Sequence, residues 1–388
     1  MLLAGDIGGT KTDLAVYSSE TGLDAPLAET EVHSADYGSL QAIAREFLTK
    51  VKLPVDRACF AVAGPVIGGR AKITNLPWAI DESTVAKELN LEHVHLMNDL
   101  EAIAFAIPNL RTNDLDTINA GAPIPGGTIG VIAPGTGLGE SFLTWDGSRY
   151  IAHSSEGGHA SFAPTDEKQI GLLAYMLTHF DHVSYEKVCS GIGIPHIYEY
   201  LRSSGYASET PEAAHAIAAL HDPTPAIINF GLDPARPSAL CAATLDILLS
   251  ILGDEAGNLA LKVLATGGVY LAGGIATHVL PALKEQRFMQ AFTRKGRFAE
   301  LMARIPIHVI VTRAALAGAA SYGLENLIHG SESRNSRAMN GSLAPNVTQE
   351  HPACACSGRR SSHPNAPATF PTPEVRLLRS TTGTCFPI

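Results

Sequence analysis

Asp6-Ile7-Gly8-Gly9-Thr10-Lys11-Thr12 follows the apolar run Leu2-Leu3-Ala4-Gly5 and leads into an alternating stretch, residues 12–17. Residues 2–8 read as a strand and 12–17 as a second, so the glycine turn joins two members of an antiparallel hairpin. A dinucleotide fold would instead send the glycine turn straight into a helix. Gly8 and Gly9 let the backbone approach a phosphate closely, Thr10 adds a donor, and Asp6 can face the magnesium ion that accompanies it, directly or through water. Taken alone, the same residues also describe an ordinary glycine hairpin with a solvated acid.

The pattern recurs. Residues 128–133 read as a strand, Pro134-Gly135-Thr136-Gly137-Leu138-Gly139 as a turn, and 141–145 as the returning strand. The Gly-x-Gly-x-Gly spacing exposes successive N–H groups, and Thr136 can point its hydroxyl at a terminal phosphate. Two related halves, each offering such a hairpin across a cleft, make a two-sided phosphate clamp. No strand is followed by GxxxxGK[ST], so a P-loop is excluded.

Between and beyond the hairpins the pattern alternates strands with helices. Residues 40–48 have helical spacing. Residues 58–62 read as a strand stopped by Gly64-Pro65, and 94–97 as another that delivers Asn98-Asp99 to a helix beginning near Leu100. A domain boundary is expected at 108–113. Helical patterns follow at 169–180, 193–203 and 211–254, the last interrupted by a proline-rich turn over 223–237. A strand at 269–271 ends in Ala272-Gly273-Gly274-Ile275, a glycine pair that opens a helix and suits contact with a base and ribose. Residues 306–311 are a last strand, and 314–328 a small-residue helix expected to pack back on the first domain.

Phosphoryl transfer also needs a group that orients the attacking oxygen. Asp99, at the C-terminal end of a strand, is placed for that work, with an N-cap aspartate as the rival reading. Asn98 can donate to and accept from neighbouring hydroxyls. In Ser155-Glu156-Gly157-Gly158-His159 an acid and an imidazole stand three apart across two glycines, a match for adjacent sugar hydroxyls. Glu186 is a third acid, which on its own reads as surface charge.

A chain of 388 residues with 45% apolar and 17% charged residues and 36 glycines is long enough for two domains and has the make-up of a turn-rich globular enzyme. Its net charge of -10 argues against nucleic acid as the main partner. Asp6 interrupts the first apolar run, against a secretory signal, and residues 263–276 are too short for a membrane span, so a soluble, cytoplasmic protein is expected. Cys59, Cys189 and Cys241 read as small buried thiols. Residues 331–388, rich in Ser, Pro and Arg, are expected to be a disordered low-complexity tail. His351, Cys354 and Cys356 lack a fourth ligand at suitable spacing for zinc.

From Leu3 to Leu324 these motifs stand in the order found in bacterial-type glucokinases, of the hexokinase and actin superfamily, which the chain closely resembles. The resemblance implies an α/β, two-domain actin-like (ribonuclease H-like) ATPase fold with an interdomain cleft. It implies a small domain over 1–110, completed by the helix at about 312–328, and a large domain over 111–311. It also implies transfer of the ATP γ-phosphoryl group to the 6-hydroxyl of glucose, with Mg²⁺ at Asp6. Asp99 is then the catalytic base, and Asn75, Asn98, Asp99, Glu156, His159 and Glu186 bind the sugar. Nucleotide contacts fall on Asp6, Gly8, Gly9, Thr10 and Lys11, on Gly135, Thr136 and Gly137, and on Gly273 and Gly274. A homodimer is the usual state of the family. Lys11 stands where many relatives carry asparagine, and Asp13 where an arginine is frequent. Ala160-Ser161-Phe162-Ala163-Pro164 follows the Glu156-to-His159 motif in place of the cysteine-rich zinc motif of the related repressor branch, and a DNA-binding module before Asp6 is not expected. The alternatives are a kinase for another hexose or amino sugar, and a non-catalytic sugar or ATP sensor. The residues leave the choice between ATP and polyphosphate as donor open.

Overall fold

In the computed structural model the described residues are 1–328 except Asp24, Thr74 and Asn75. Asn75 and the expected tail over 331–388 therefore lie outside the described residues.

The first sheet grows from the opening hairpin. β1 (Leu2–Ile7) pairs antiparallel with β2 (Lys11–Tyr17), and β2 with β3 (Ala28–His33). On its other side β1 pairs in parallel with β4 (Arg57–Val62), which pairs in parallel with β8 (His93–Asn98). A separate three-stranded sheet, β5 (Val66–Ile67), β6 (Arg70–Lys72) and β7 (Ala79–Asp81), rises between β4 and β8. Helix α1 (Leu40–Val51) covers one face of the main sheet with Leu40, Ile43 and Phe47. It starts on a Ser39 cap and ends at Lys52 in the left-handed region. α2 (Glu82–Leu89) leads into β8, and α3 (Asp99–Ala106) leaves it.

The second sheet repeats the first five-strand order and adds one strand. β12 (Tyr150–Ser155), β11 (Leu138–Trp145) and β10 (Ile129–Pro134) form the antiparallel part. β13 (Gly268–Leu271) and β14 (Ile307–Ile310) continue in parallel, and β9 (Leu115–Asn119) closes the far edge. Both glycine turns are thus tips of equivalent hairpins, which is the duplication legible in the sequence.

The helices around this sheet are α4 (Glu167–Met176), α5 (Gly193–Ser203), α6 (Pro211–Ala218), α7 (Thr224–Leu232), α8 (Ala239–Val263), α9 (Gly273–His278), α10 (Leu280–Leu283), α11 (Gln286–Thr293) and α12 (Ala299–Arg304). α7 corrects one expectation, since residues 224–232 are helical within the supposed proline turn. Pro225 falls in the first helical turn, where no N–H partner is lost, and Ile227, Ile228 and Phe230 are buried. Cys59, Cys189 and Cys241 are free and buried. Among the described residues no helix is long and apolar enough to cross a membrane.

The chain then returns. After β14, α13 (Ala314–Tyr322) packs on β1, β4 and α3, and a π-helical turn, Gly323–Ile328, follows it. α13 lies so close to α3 that a Cβ on Gly318 would overlap the carbonyl oxygen of Ala102. That contact involves backbone, which cannot rotate away as a side-chain tip can. Gly318→Ala is expected to cost about 3 kcal/mol through overpacking, measured as a lowered midpoint in chemical denaturation. An unchanged midpoint would mean that the two helices slide freely.

Candidate active site

Ser34, fully buried, braces the first glycine turn. Its hydroxyl donates to the Gly8 carbonyl at 2.8 Å and stands 3.0 Å from the Thr12 hydroxyl, while its N–H donates to the Thr10 carbonyl at 2.9 Å. Gly8 closes the turn by donating to the Lys11 carbonyl at 2.9 Å, an oxygen that a Cβ on Gly8 would crowd. Thr10 is exposed at the tip. The ammonium of Lys11 pairs with Glu31 on β3 at 2.6 Å, so in this structure its charge is directed along the sheet. Ser34 carries no motif and was not legible as part of the turn.

Asp6, one residue before the end of β1, stands directly opposite Asp13 on β2 and beside Ala61 on β4. Burial first, then the nearby charges of Asp99 and Asp13, push its carboxyl up to about 7. Asp13 itself pairs with Arg313, the residue before α13, at 3.0 Å, and that guanidinium also reaches Glu29 at 3.6 Å. The acid found here in place of arginine thus has its own counter-ion from the far end of the fold.

At the start of α3 the cap is the residue before Asp99. Asn98, in extended conformation, is the N-cap and accepts from the N–H groups of Leu100 and Glu101 at 2.9 and 3.4 Å. Its side-chain nitrogen donates to the Gly64 carbonyl at 3.1 Å. Asp99 is the first helical residue, its carboxyl accepting from the Leu100 N–H at 2.9 Å. Burial raises the Asp99 carboxyl above its ordinary range, opposed by its backbone and Asn98 hydrogen bonds.

The second hairpin packs against α3, and nearest Asp99 a Cβ on Gly139 would press into Leu100 at 2.9 Å. Gly135 accepts from the Gly191 N–H at 2.8 Å, Thr136 is exposed at the tip, and a Cβ on Gly137 would collide with the Glu186 carboxyl. Gly273, at φ 84° and the start of α9, abuts the Pro134 carbonyl beside the tip of the same hairpin, with Gly274 exposed next to it.

Glu156, His159 and Glu186 form a single cluster. The His159 ring stands 3.8 Å from the Glu156 carboxyl and 3.9 Å from that of Glu186. Glu186 is only 22% exposed and accepts the Leu138 N–H at 3.1 Å, so it is fastened to the second hairpin and is not the free surface charge its local sequence implies. The main-chain bond from Glu186 to Gly158 at 2.9 Å locks the two segments together. This set offers two carboxylates and an imidazole at the mouth of the hairpin, matched to neighbouring hydroxyls.

The family model for glucokinase matches residues 3–326. The chain belongs to the glucokinase family. It is 41% identical to the glucokinase of Nostoc punctiforme over 336 residues, covering 82% of this chain and 98% of that one. A solved glucokinase from an Antarctic psychrotroph superposes with a TM-score of 0.69 at 32% identity, over 82% of this chain and 97% of that one. A glucokinase of the ROK family from Streptomyces griseus, solved with glucose and AMPPNP, gives a TM-score of 0.56 at 18% identity, with 82% and 97% covered, a likeness of fold. The family's actin- and hexokinase-type α/β fold, with two open sheets, accounts for the repeated strand order.

Proposed function

We propose that the chain is an ATP-dependent glucokinase that transfers the γ-phosphoryl group of ATP to the 6-hydroxyl of glucose. The observation that carries this reading is the junction at Leu100 and Gly139, where the helix headed by Asp99 touches the hairpin of the other sheet, with Asp6 close by. The same hairpin carries the Glu156, His159 and Glu186 cluster, fastened to it through the Leu138 N–H, which supports reading the three as one site.

In the proposed reaction the Glu156, His159 and Glu186 cluster holds the sugar hydroxyls, with Asn98 and Asn75 completing the set. Asp99 accepts a hydrogen bond from the 6-hydroxyl, orients its oxygen and takes its proton as the O–P bond forms. The amides and hydroxyls of both hairpins receive the phosphates, and Gly273 and Gly274 approach the adenosine. We further propose that the two lobes close on the sugar and keep water, the competing acceptor, from the γ-phosphoryl group.

Mg²⁺ fits Asp6. No group of three or more His, Cys, Asp or Glu among the described residues could cage a metal, whereas magnesium bound with ATP needs only one or two protein carboxylates beside phosphate and water. The carboxyl of Asp6 is short of positive charge, crowded by Asp99 and Asp13. Held at Asp6 with ATP, the ion would supply positive charge against the negative charge of the phosphates during transfer. The resemblance to the family supports a homodimer and a cytoplasmic location.

Phosphoryl transfer measured over hexoses and amino sugars, with ATP and polyphosphate as donors, tests the reading. Glucose with ATP is expected to give the highest kcat/KM. A higher value for another sugar replaces the substrate, and binding without turnover establishes a sensor.

A further inference from the structure

Beneath the 156–159 loop lie two buried carboxyl groups that the mechanism above does not use. Glu140, the residue after Gly139 on β11, is 2% exposed, and Glu255 on α8 is 0% exposed. They lie near enough for Glu255 to act on the Glu140 carboxyl, and two carboxyl groups in such contact bond to each other only with a proton between them. The donors available to Glu255 are Lys262 at 3.1 Å, Asn258 at 2.9 Å and the Tyr185 hydroxyl. Glu140 Oε1 is buried and accepts from no donor among the described residues. The adjacent Asp254 has Lys295 and Arg294 for itself, at 3.4 and 3.6 Å. One ammonium, that of Lys262, thus serves two buried carboxyls, and a proton supplies the missing positive charge.

The pair also touches both parts of the sugar cluster. Glu140 stands opposite Ser155 in the β11–β12 ladder, and Ser155 accepts the Gly157 N–H at 3.0 Å. The Glu140 carboxyl lies so close to Gly157 that a Cβ there would overlap it. Glu255 reaches Tyr185, the residue before Glu186.

We propose that Glu140 and Glu255 share one proton and that the neutralised pair positions Glu156, His159 and Glu186 for the sugar, a role that rests on the glucokinase reading. The groups facing the pair are Lys262 and Asp254 on α8, Lys295 after α11, and Tyr185 and Cys189 on the segment before α5. Burial, then Glu255, raises the Glu140 carboxyl well above its ordinary range, with Lys262 opposing. The proton is therefore held at neutral pH and lost as the pH rises. Two adjacent carboxylates then repel, Gly157 shifts, and the sugar loses its fit while Asp99 keeps its place.

Two measurements test this. Infrared spectroscopy of the substrate-free protein should show a protonated-carboxyl band that is lost in Glu140→Gln and displaced in Glu255→Gln; a spectrum unaltered by both overturns the shared proton whatever the enzyme's activity. In kinetics, the wild-type KM for glucose should rise about tenfold from neutral to mildly alkaline pH, with kcat changing less than about twofold. Glu140→Gln, whose amide donates as the shared proton does, should keep the neutral KM and lose the alkaline rise, whereas Glu140→Ala should raise KM at both. The same alkaline rise in Glu140→Gln as in wild type overturns the positioning role. If Glu140→Ala does not fold, Glu255→Gln serves, with an alkaline rise identical to wild type as the overturning result. Loss of the band without any glucose turnover by the wild type leaves the shared proton standing and removes the sugar reading.

Discussion

Asp99→Asn is expected to lower kcat by about 10²–10⁴-fold while the affinity for glucose stays within about threefold. The amide keeps the size of the carboxyl and can still accept from the Leu100 N–H, the bond that Asp99 makes at 2.9 Å. What it loses is the ability to take a proton. The structure makes this a clean substitution, because Asn98 is the residue that caps α3 and the helix does not depend on Asp99 for its start. Burial holds the Asp99 carboxyl above its ordinary range, which strengthens it as a proton acceptor, so on the proposed reading its replacement removes a tuned base. Stopped-flow or coupled turnover together with equilibrium glucose binding checks the split. Near-normal turnover would sink the assignment.

Asp6→Asn is expected to act in opposite directions on catalysis and on stability. Turnover with MgATP should fall by about 10²–10³-fold, since a neutral amide is a poor partner for a divalent cation and its phosphates. The apo protein should nevertheless become more stable. The folded-state value of Asp6 is raised from 3.8 to about 7, so protonation favours the fold. That stabilisation is complete below pH 3.8 and is lost as the pH rises through about 7. Asparagine, uncharged throughout, does not lose it. Allowing for partial solvent screening, the gain above neutral pH is on the order of 2 kcal/mol. Unfolding midpoints over a pH series check it: the variant and wild type should converge in acid and separate in mild alkali. A variant that is less stable than wild type at alkaline pH would show that Asp6 is held by contacts of another kind.

The hairpins were legible because glycine turns between short alternating strands announce themselves within fifteen residues, and their repetition gave away the paired sheets. Asp99 and Asn98 stood out as a pair, but which of them capped the helix depended on the backbone at Asn98, which the residue types leave open. Glu186 read as surface charge because its partner, the Leu138 N–H, lies 48 residues earlier. Glu140 and Glu255 were silent for the same reason, each sitting in an unremarkable local stretch and meeting only across the core. The helix Thr224–Leu232 was hidden by prolines whose effect depends on whether they enter a helix at its first turn or in its middle. The three-stranded sheet and β12 are short elements without a pattern of their own, built on neighbours that pair with them.

The two sheets repeat the same strand order around the same kind of turn, yet their side chains do not repeat. Asp6 faces Asp13 across the first hairpin, whereas Ala133 faces Gly139 across the second. A cradle that repeats its strand order is therefore handed in its chemistry. On the reading proposed above, it distinguishes non-bridging phosphate oxygens that are interchangeable by connectivity alone, and it gives the triphosphate one stereochemical sense before any sugar arrives.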